Sequence, residues 1–451
     1  MSSTDAIIIG SGISALIAAK TLQARGKQCL LLEPSNHIGG AIHTLEQQGY
    51  RIELGPNTLQ LNEESLENIL KEFGVLKNSI EANPQANKRF LVRNHRIIAA
   101  PQSPTQAIMS PLLSFPAKLR ILREPFIQKY KGEDEDLASF VERRLGREFL
   151  DYLINPMVGG VYAGLPEQLS VKHAFPKIYN LEQTHGSLIK GAMAKMREKR
   201  KSGSTFKTRL LSWKGGLKDL VNQLAASLQI QTQSSIQKIS QRSDNSWEVL
   251  WTHADSTHTA AAPVLIVTTP THAWKKLPFL KDLTQTSKLS EQIEYPPVTV
   301  VALGFRRDQI QHPLDGFGVL IPQCEHYNIL GTLFSSTLFR ERAPRDHVLL
   351  TTFIGGSRQP ETTKISKATA IDITRKELKS LLGIEDNPDY SHHYTWQNAI
   401  PQYKVGYSDH LCAFEQIEEK YKGLHLIGNY RDGIALGKCV LAAYKRAQTI
   451  E

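Results

Sequence analysis

Two groups of residues near the amino end of this 451-residue chain have the types and spacing to do chemistry. The first is Gly10-Ser11-Gly12-Ile13-Ser14-Ala15, which follows the apolar run Ala6-Ile7-Ile8-Ile9. Gly10 permits a tight turn, and Gly12 lets a pyrophosphate approach backbone that carries no Cβ. Ala15 is small enough for a helix to pack on a strand. Phosphates would meet the unpaired N–H groups at the start of that helix. The second is Glu33, about twenty residues past Gly12, where a carboxylate can accept hydrogen bonds from ribose hydroxyls. Glycines that merely pack a helix on a strand share the first pattern. Strand, turn, helix, strand and acid arriving in that order predict a dinucleotide site.

The elements that must position these residues follow from the pattern. Ala6–Ile9 reads as a buried parallel strand. Ile13, Leu16, Ile17 and Ala19 against Lys20 predict a helix with one apolar and one polar face. Gln28 to Leu32 reads as the second strand, and Gly49 to Leu54 alternates as a further one. It runs into Gly55-Pro56-Asn57-Thr58, a turn that sets backbone and the Asn57 amide at a cleft mouth. An ordinary surface turn would explain the same four residues. Residues 63 to 74 predict an amphipathic helix closed by Gly74. Residues 87 to 93 predict a strand carrying cations.

From Pro101 to about Phe206 helical patterns broken by proline dominate, and none continues a sheet. Within them Met109 to Phe126 mixes apolar residues with Lys118, Arg120 and Arg123. Such a segment suits a membrane interface, or a helix packed on its own domain. Lys195 to Arg209 reads as a solvated basic loop, with attraction for anionic lipid as the second reading. Trp213-Lys214-Gly215-Gly216-Leu217 then precedes a helix through Leu228, and Ile230 to Ile239 reads as one strand that can lay Ile236 beside an adenine. Residues 249–251 and 264–268 are expected to continue the first sheet. Residues 296–305, 318–321, 329–333 and 348–354 predict antiparallel strands of a second domain. Leu424 to Asn429 predicts a last buried strand, leading through Gly433 into a helix from about Leu436.

The fold class is α/β: a discontinuous Rossmann-like nucleotide domain, a mixed-sheet substrate domain and an inserted helical, membrane-facing domain. The expected boundaries are 1–86 with 207–275 and 408–451, then 87–100 with 276–407, then 101–206. Such a length is too great for one simple core. No basic-then-apolar leader and no run of eighteen apolar residues is present. Cys29, Cys324, Cys412 and Cys439 are scattered without CxxC spacing, which argues against a metal or disulfide framework and suits a reducing, cytoplasmic setting. The net charge of +10 suits an anionic partner. No nucleic-acid module accompanies it, so the expected anionic partners are an acidic substrate and a membrane surface, and a solvated basic surface without a partner explains the charge equally well.

Ile38-Gly39-Gly40-Ala41 resembles the second fingerprint of FAD enzymes of the amine-oxidase type, where this chain has Ala41 and Ile42 in place of a usual arginine. Asn155-Pro156-Met157-Val158-Gly159-Gly160-Val161-Tyr162-Ala163-Gly164 with Ala174-Phe175-Pro176 resembles oxygen-dependent protoporphyrinogen oxidases. So do the Trp213 to Leu217 motif, Gly331 to Ser336, Arg342-Ala343-Pro344, Ala399 to Tyr403, and Gly428-Asn429-Tyr430 with Ala435-Leu436-Gly437. The pattern departs at Leu165, where an aspartate is common, and at Tyr407, where a histidine is common.

The resemblance implies oxidation of protoporphyrinogen IX by hydride transfer to FAD, with oxygen as acceptor and hydrogen peroxide released. It implies that Gly10 through Ala15, Glu33, Pro34 and Ala41 hold FAD from one side. Gly55, Pro56, Asn57, Thr58 and Ile236 would join them, and Gly428, Asn429, Ile434, Ala435 and Leu436 would close the site. Asn57 would orient the ring system or polarise a pyrrole N–H. Arg89 would hold a propionate, and Leu320, Leu333 and Phe353 would sandwich the tetrapyrrole. No nucleophile–base constellation is needed, because the flavin carries the hard step. Coproporphyrinogen III is the alternative substrate, and its four propionates should want several cations. An amine oxidase would place a lysine in residues 295–303, which have none. A carotenoid desaturase would lack the Ala399–Tyr403 motif, and a catalytically silent flavoprotein would show degraded motifs. Assembly is open, a homodimer included.

Overall fold

A computed structural model describes residues 4–202, 206–281 and 293–450. Five parallel strands lie in the order Gln229–Gln231, Cys29–Leu32, Ala6–Ile9, Val264–Val267, Leu424–Leu426. The central strand Ala6–Ile9 is wholly buried, as an apolar run covered on both faces should be. On one face pack the helices Ile13–Ala24, Leu217–Ala225 and Leu436–Thr449, through Leu16, Ile17, Leu220, Val440 and Ala443. On the other, Ile7, Ile9, Leu265 and Val267 meet Trp247, Trp274 and Phe414.

The helix Ile13–Ala24 is buried almost all round, not along one stripe. It is wedged between the sheet and the C-terminal helix, so the two-faced expectation is corrected. The single strand expected over 230–239 is two, Gln229–Gln231 in the parallel sheet and Ser235–Gln241 in another. Thr252 faces Ser235 and Ala262 faces Trp247, so Trp247–His253 belongs to this second, antiparallel meander and does not continue the first sheet.

A seven-stranded sheet runs Tyr390–Trp396, Val298–Arg306, His347–Gly355, Ile329–Phe334, Gly316–Leu320, Lys88–Arg93, Arg96–Ala99. Every neighbouring pair is antiparallel except Gly316–Leu320 with Lys88–Arg93, which makes the sheet mixed. Phe90, Val301, Val319, Phe334 and Leu350 bury one face with the helix Lys367–Leu382.

Residues 104–202 are helical throughout their regular elements. Lys195 to Ser202 is the end of a helix, Leu188–Ser202, where a loop was expected; Gly203 lies outside the described residues. Met109 to Phe126 spans the end of the helix Pro104–Met109, the helix Phe115–Leu122 and a 3-10 turn. Ile108, Met109, Phe115, Leu122 and Phe126 are each more than two-thirds exposed. Beneath them the fully buried Arg144 pairs with Glu124 at 2.9 Å and with Glu182 at 2.5 Å. Among the described residues no helix is long and apolar enough to cross a membrane.

Candidate functional site

At the amino end, Gly10 has φ +104°, and a Cβ there would sit 2.7 Å from Thr268 Oγ1. Only glycine meets both conditions without strain. A Cβ on Gly12 would meet nothing within 4 Å, so the backbone in front of it opens onto free space. The second glycine turn is fastened to the first: Gly39 N–H donates to the Ser11 carbonyl at 3.0 Å, and Gly12 bridges Gly39. Neither the helix Ile13–Ala24 nor the helix Leu436–Thr449 has a side-chain cap or an acidic residue in its first turn. Each therefore presents bare N–H donors at its start, the arrangement that receives anions. The Thr269 hydroxyl, beside Gly10, is buried without a hydrogen-bond partner. Open space before Gly12, two uncapped helix ends and an orphaned hydroxyl fit a dinucleotide.

Glu33 sits at the mouth of the second strand, 9% exposed. Its Oε2 accepts from the Ser11 N–H at 3.0 Å and the Ser11 hydroxyl at 2.7 Å. Its Oε1 accepts from the Ser35 N–H at 2.9 Å and the Ser35 hydroxyl at 2.8 Å. The carboxylate is thus aimed in advance, and the two hydroxyls are the bonds that a ribose could replace. Residues 231–234 run alongside, with the Ser234 N–H donating to the Glu33 carbonyl at 2.9 Å. This carries Ile236 to the neighbourhood of Glu33, while Pro34, which follows Glu33 in the bend after the strand, is exposed.

The turn after Glu53 lies against Ala41: a Cβ on Gly55 would collide with the Ala41 carbonyl, so glycine is required for the approach. Asn57 Nδ2 donates to the Gly55 carbonyl at 3.1 Å, closing the turn that Pro56 and Thr58 flank. Trp396 Nε1 donates to the Leu54 carbonyl at 2.6 Å and ties this turn to the edge of the seven-stranded sheet. Gly428 and Asn429 open a one-turn helix that ends before Gly433. The Tyr403 hydroxyl donates to the Asn429 carbonyl and accepts from the Gly433 N–H at 2.9 Å. Burial pushes that phenol well above its usual range, so it stays a donor. Tyr403 thereby fixes the segment leading through Ile434 and Ala435 to Leu436.

Strand register decides which way the remaining residues face. Arg89 lies opposite Gly318, Gly318 opposite Leu333, and Leu333 opposite Thr351. Two residues along, Leu320 lies opposite Gly331, Gly331 opposite Phe353, and Phe353 opposite Val300. Residues opposite one another, or two apart, share a face. Arg89, Leu320, Leu333 and Phe353 therefore share one, and it is the face away from the Phe90–Val319 core. Leu320, Leu333 and Phe353 are half-buried there, and Arg89 is exposed. Trp396 and Tyr394 lie on the same face at its far edge, under the Leu54–Asn57 turn and His43. The floor is apolar, bounded by the nucleotide-side turn at one edge and a cation at the other. Arg89 and Phe353 stand three strand spacings apart, about 14 Å.

The helix Asn155–Tyr162 crosses the floor, and a Cβ on Gly160 would strike Leu320. Its start is pinned by Arg358, which donates to Asn155 Oδ1 and to the Ile321 carbonyl, each at 2.9 Å. Burial pushes the Arg358 guanidinium down to about 10, which leaves it charged at neutral pH.

Three groups escaped the sequence reading. Thr269 had a signal, a hydroxyl pair at the end of the strand beside Gly10. Tyr403 lay inside a quoted motif without a role, because its partners are backbone atoms far along the chain. Arg358 had none, since a lone arginine after a strand says nothing about the helix above it.

Residues 13–450 match the family model described as flavin containing amine oxidoreductase. Protoporphyrinogen oxidase 2, chloroplastic/mitochondrial, of Arabidopsis thaliana is 33% identical, over 98% of this chain and 93% of its own. Coproporphyrinogen III oxidase of Bacillus subtilis (strain 168) is 27% identical, over 96% of this chain and 95% of its own. A crystal structure from Exiguobacterium sp. 255-15 superposes with a TM-score of 0.81 at 24% identity, covering 100% of this chain and 99% of that one, a likeness of fold.

Proposed function

We propose that this chain, which belongs to the flavin containing amine oxidoreductase family and takes FAD as its cofactor, oxidises protoporphyrinogen IX to protoporphyrin IX. The observation that carries the reading is the floor of Leu320, Leu333 and Phe353 between the Leu54–Asn57 turn and Arg89. A macrocycle with apolar faces and carboxylates at one edge suits such a surface. When bound, FAD supplies the two-electron oxidation that a methylene bridge needs.

The chain's own residues do the rest. The bare starts of the helices Ile13–Ala24 and Leu436–Thr449 receive the pyrophosphate and the ring's polar edge. Glu33 accepts from ribose. Tyr403 keeps Asn429 to Leu436 in place, and the Asn57 amide orients the ring system or polarises a pyrrole N–H. Arg89 offers in-plane N–H donors to a propionate. Leu320 and Phe353 exclude water from the bridge carbon. The division into nucleotide, substrate and helical parts, with boundaries near residues 87, 101, 207, 276 and 408, is part of the same reading. So are oxygen as acceptor, hydrogen peroxide as its product, and a homodimer. Peripheral attachment to an anionic membrane through the exposed Met109–Phe126 region completes it.

The Bacillus relative's name favours a second reading, coproporphyrinogen III as substrate. Supplying the purified chain with each porphyrinogen and following porphyrin fluorescence separates them. Faster turnover of the four-carboxylate substrate replaces the first reading with the second, and turnover of neither removes both.

A further inference from the structure

The strand Lys88–Arg93 carries three cations, and two are neutralised: Lys88 pairs with Asp315, and Arg93 with Glu148 at 2.5 Å. Arg89, on the candidate site's face, has no carboxylate partner among the described residues. Its guanidinium carbon instead lies 5.1 Å from the centroid of the Phe317 ring. Phe317 reaches it through a break in the ladder. Gly316 faces Lys88 and Gly318 faces Arg89, so Phe317 is the extra residue of a bulge. Bulges re-aim side chains and recur beside active sites. Two glycines make this one feasible. A Cβ on Gly318 would collide with the Thr332 carbonyl at a φ of +154°, and one on Gly316 would sit 2.6 Å from the Lys88 carbonyl. The ring is held from behind by Ala86, Leu338 and Phe339.

We propose that Phe317 is a positioning residue for substrate recognition: the bulge aims its ring at Arg89 and holds that cation, unpaired, for a carboxylate at the edge of the substrate. A cation–π contact takes up no carboxylate-type acceptor, so the Arg89 guanidinium held 5.1 Å from the ring centroid keeps N–H donors for a substrate carboxylate. A carboxylate side chain in place of the ring would neutralise the cation, and an aliphatic one would leave it mobile. The inference rests on the porphyrinogen reading, with Arg89 as the partner of a propionate, and adds Phe317 as the residue that positions that cation.

The holoenzyme is titrated with protoporphyrin IX and with its dimethyl ester, following fluorescence. The native protein binds the acid more tightly than the ester. Phe317→Leu weakens binding of the acid about two- to fivefold, the worth of an exposed cation–π contact, and leaves the ester unchanged. Phe317→Tyr, which keeps a π face, restores the acid. In an Arg89→Ala background Phe317→Leu has no further effect, because the interaction it removes is already gone. Equal weakening of acid and ester, or an effect that persists without Arg89, overturns the positioning role while leaving the porphyrin reading standing. A native protein that binds neither compound overturns that reading and the proposal with it.

Discussion

Arg89 shows what a single side chain contributes. It is exposed, so its hydrogen bonds to a carboxylate act near water, at the low end of the charge-assisted range. Arg89→Ala is expected to raise the KM for porphyrinogen about tenfold with flavin still bound, and steady-state kinetics checks it. An unchanged KM removes the propionate role. Gly10 works in the opposite sense, through what it lacks. Gly10→Ala forces a Cβ toward Thr268 at a φ suited to glycine, and the purified variant is expected to lose its bound flavin. Full flavin content in that variant would show that the turn tolerates a side chain.

Among the elements, the helices beneath the exposed apolar residues depend on a buried carboxylate. Burial alone would raise Glu124. Hydrogen bonds from the Ser187 hydroxyl and the N–H groups of Leu188 and Ile189, with the Arg144 charge, hold it below its ordinary 4.5. A depressed carboxylate adds stability above its unfolded pKa and loses it as pH falls through the folded one. Glu124→Gln is therefore expected to lower the melting temperature by a few degrees at pH 7, with the gap closing below 4.5. A gap that stays constant down to pH 3 would contradict this.

The same elements mark what could be read from the sequence. The Ala6–Ile9 strand, its helix and the helix Leu436–Thr449 were legible, because apolar runs, glycine turns and helix starts are local signals. Five strands of the mixed sheet were legible one by one, but its two edge strands, Tyr390–Trp396 and Arg96–Ala99, were not, nor was its order. Nothing local says that Gly316–Leu320 pairs with Lys88–Arg93, more than two hundred residues earlier. The break between Gln231 and Ser235 was hidden for a related reason. Both halves suit a strand, and only the sheets they join tell them apart. Arg89 and the Leu320–Phe353 floor were named by resemblance, and their common face came from register.

For the whole molecule, the exposed apolar residues of 108–126 and the candidate site belong to one chain without a spanning helix among its described residues. An apolar surface of this kind marks an interaction face. Replacing Phe115 and Phe126 by aspartate is expected to abolish co-sedimentation with anionic vesicles while turnover in detergent stays within twofold. Vesicle binding that survives both substitutions would place the contact elsewhere. The central claim is that a porphyrinogen gives up hydride to FAD held by the amino-terminal site. Its most direct test mixes the flavin-loaded protein with protoporphyrinogen IX without oxygen and follows the yellow flavin absorbance. The account predicts bleaching of the flavin on mixing. Flavin that stays oxidised with this porphyrinogen, while the protein is folded and saturated with FAD, would contradict it.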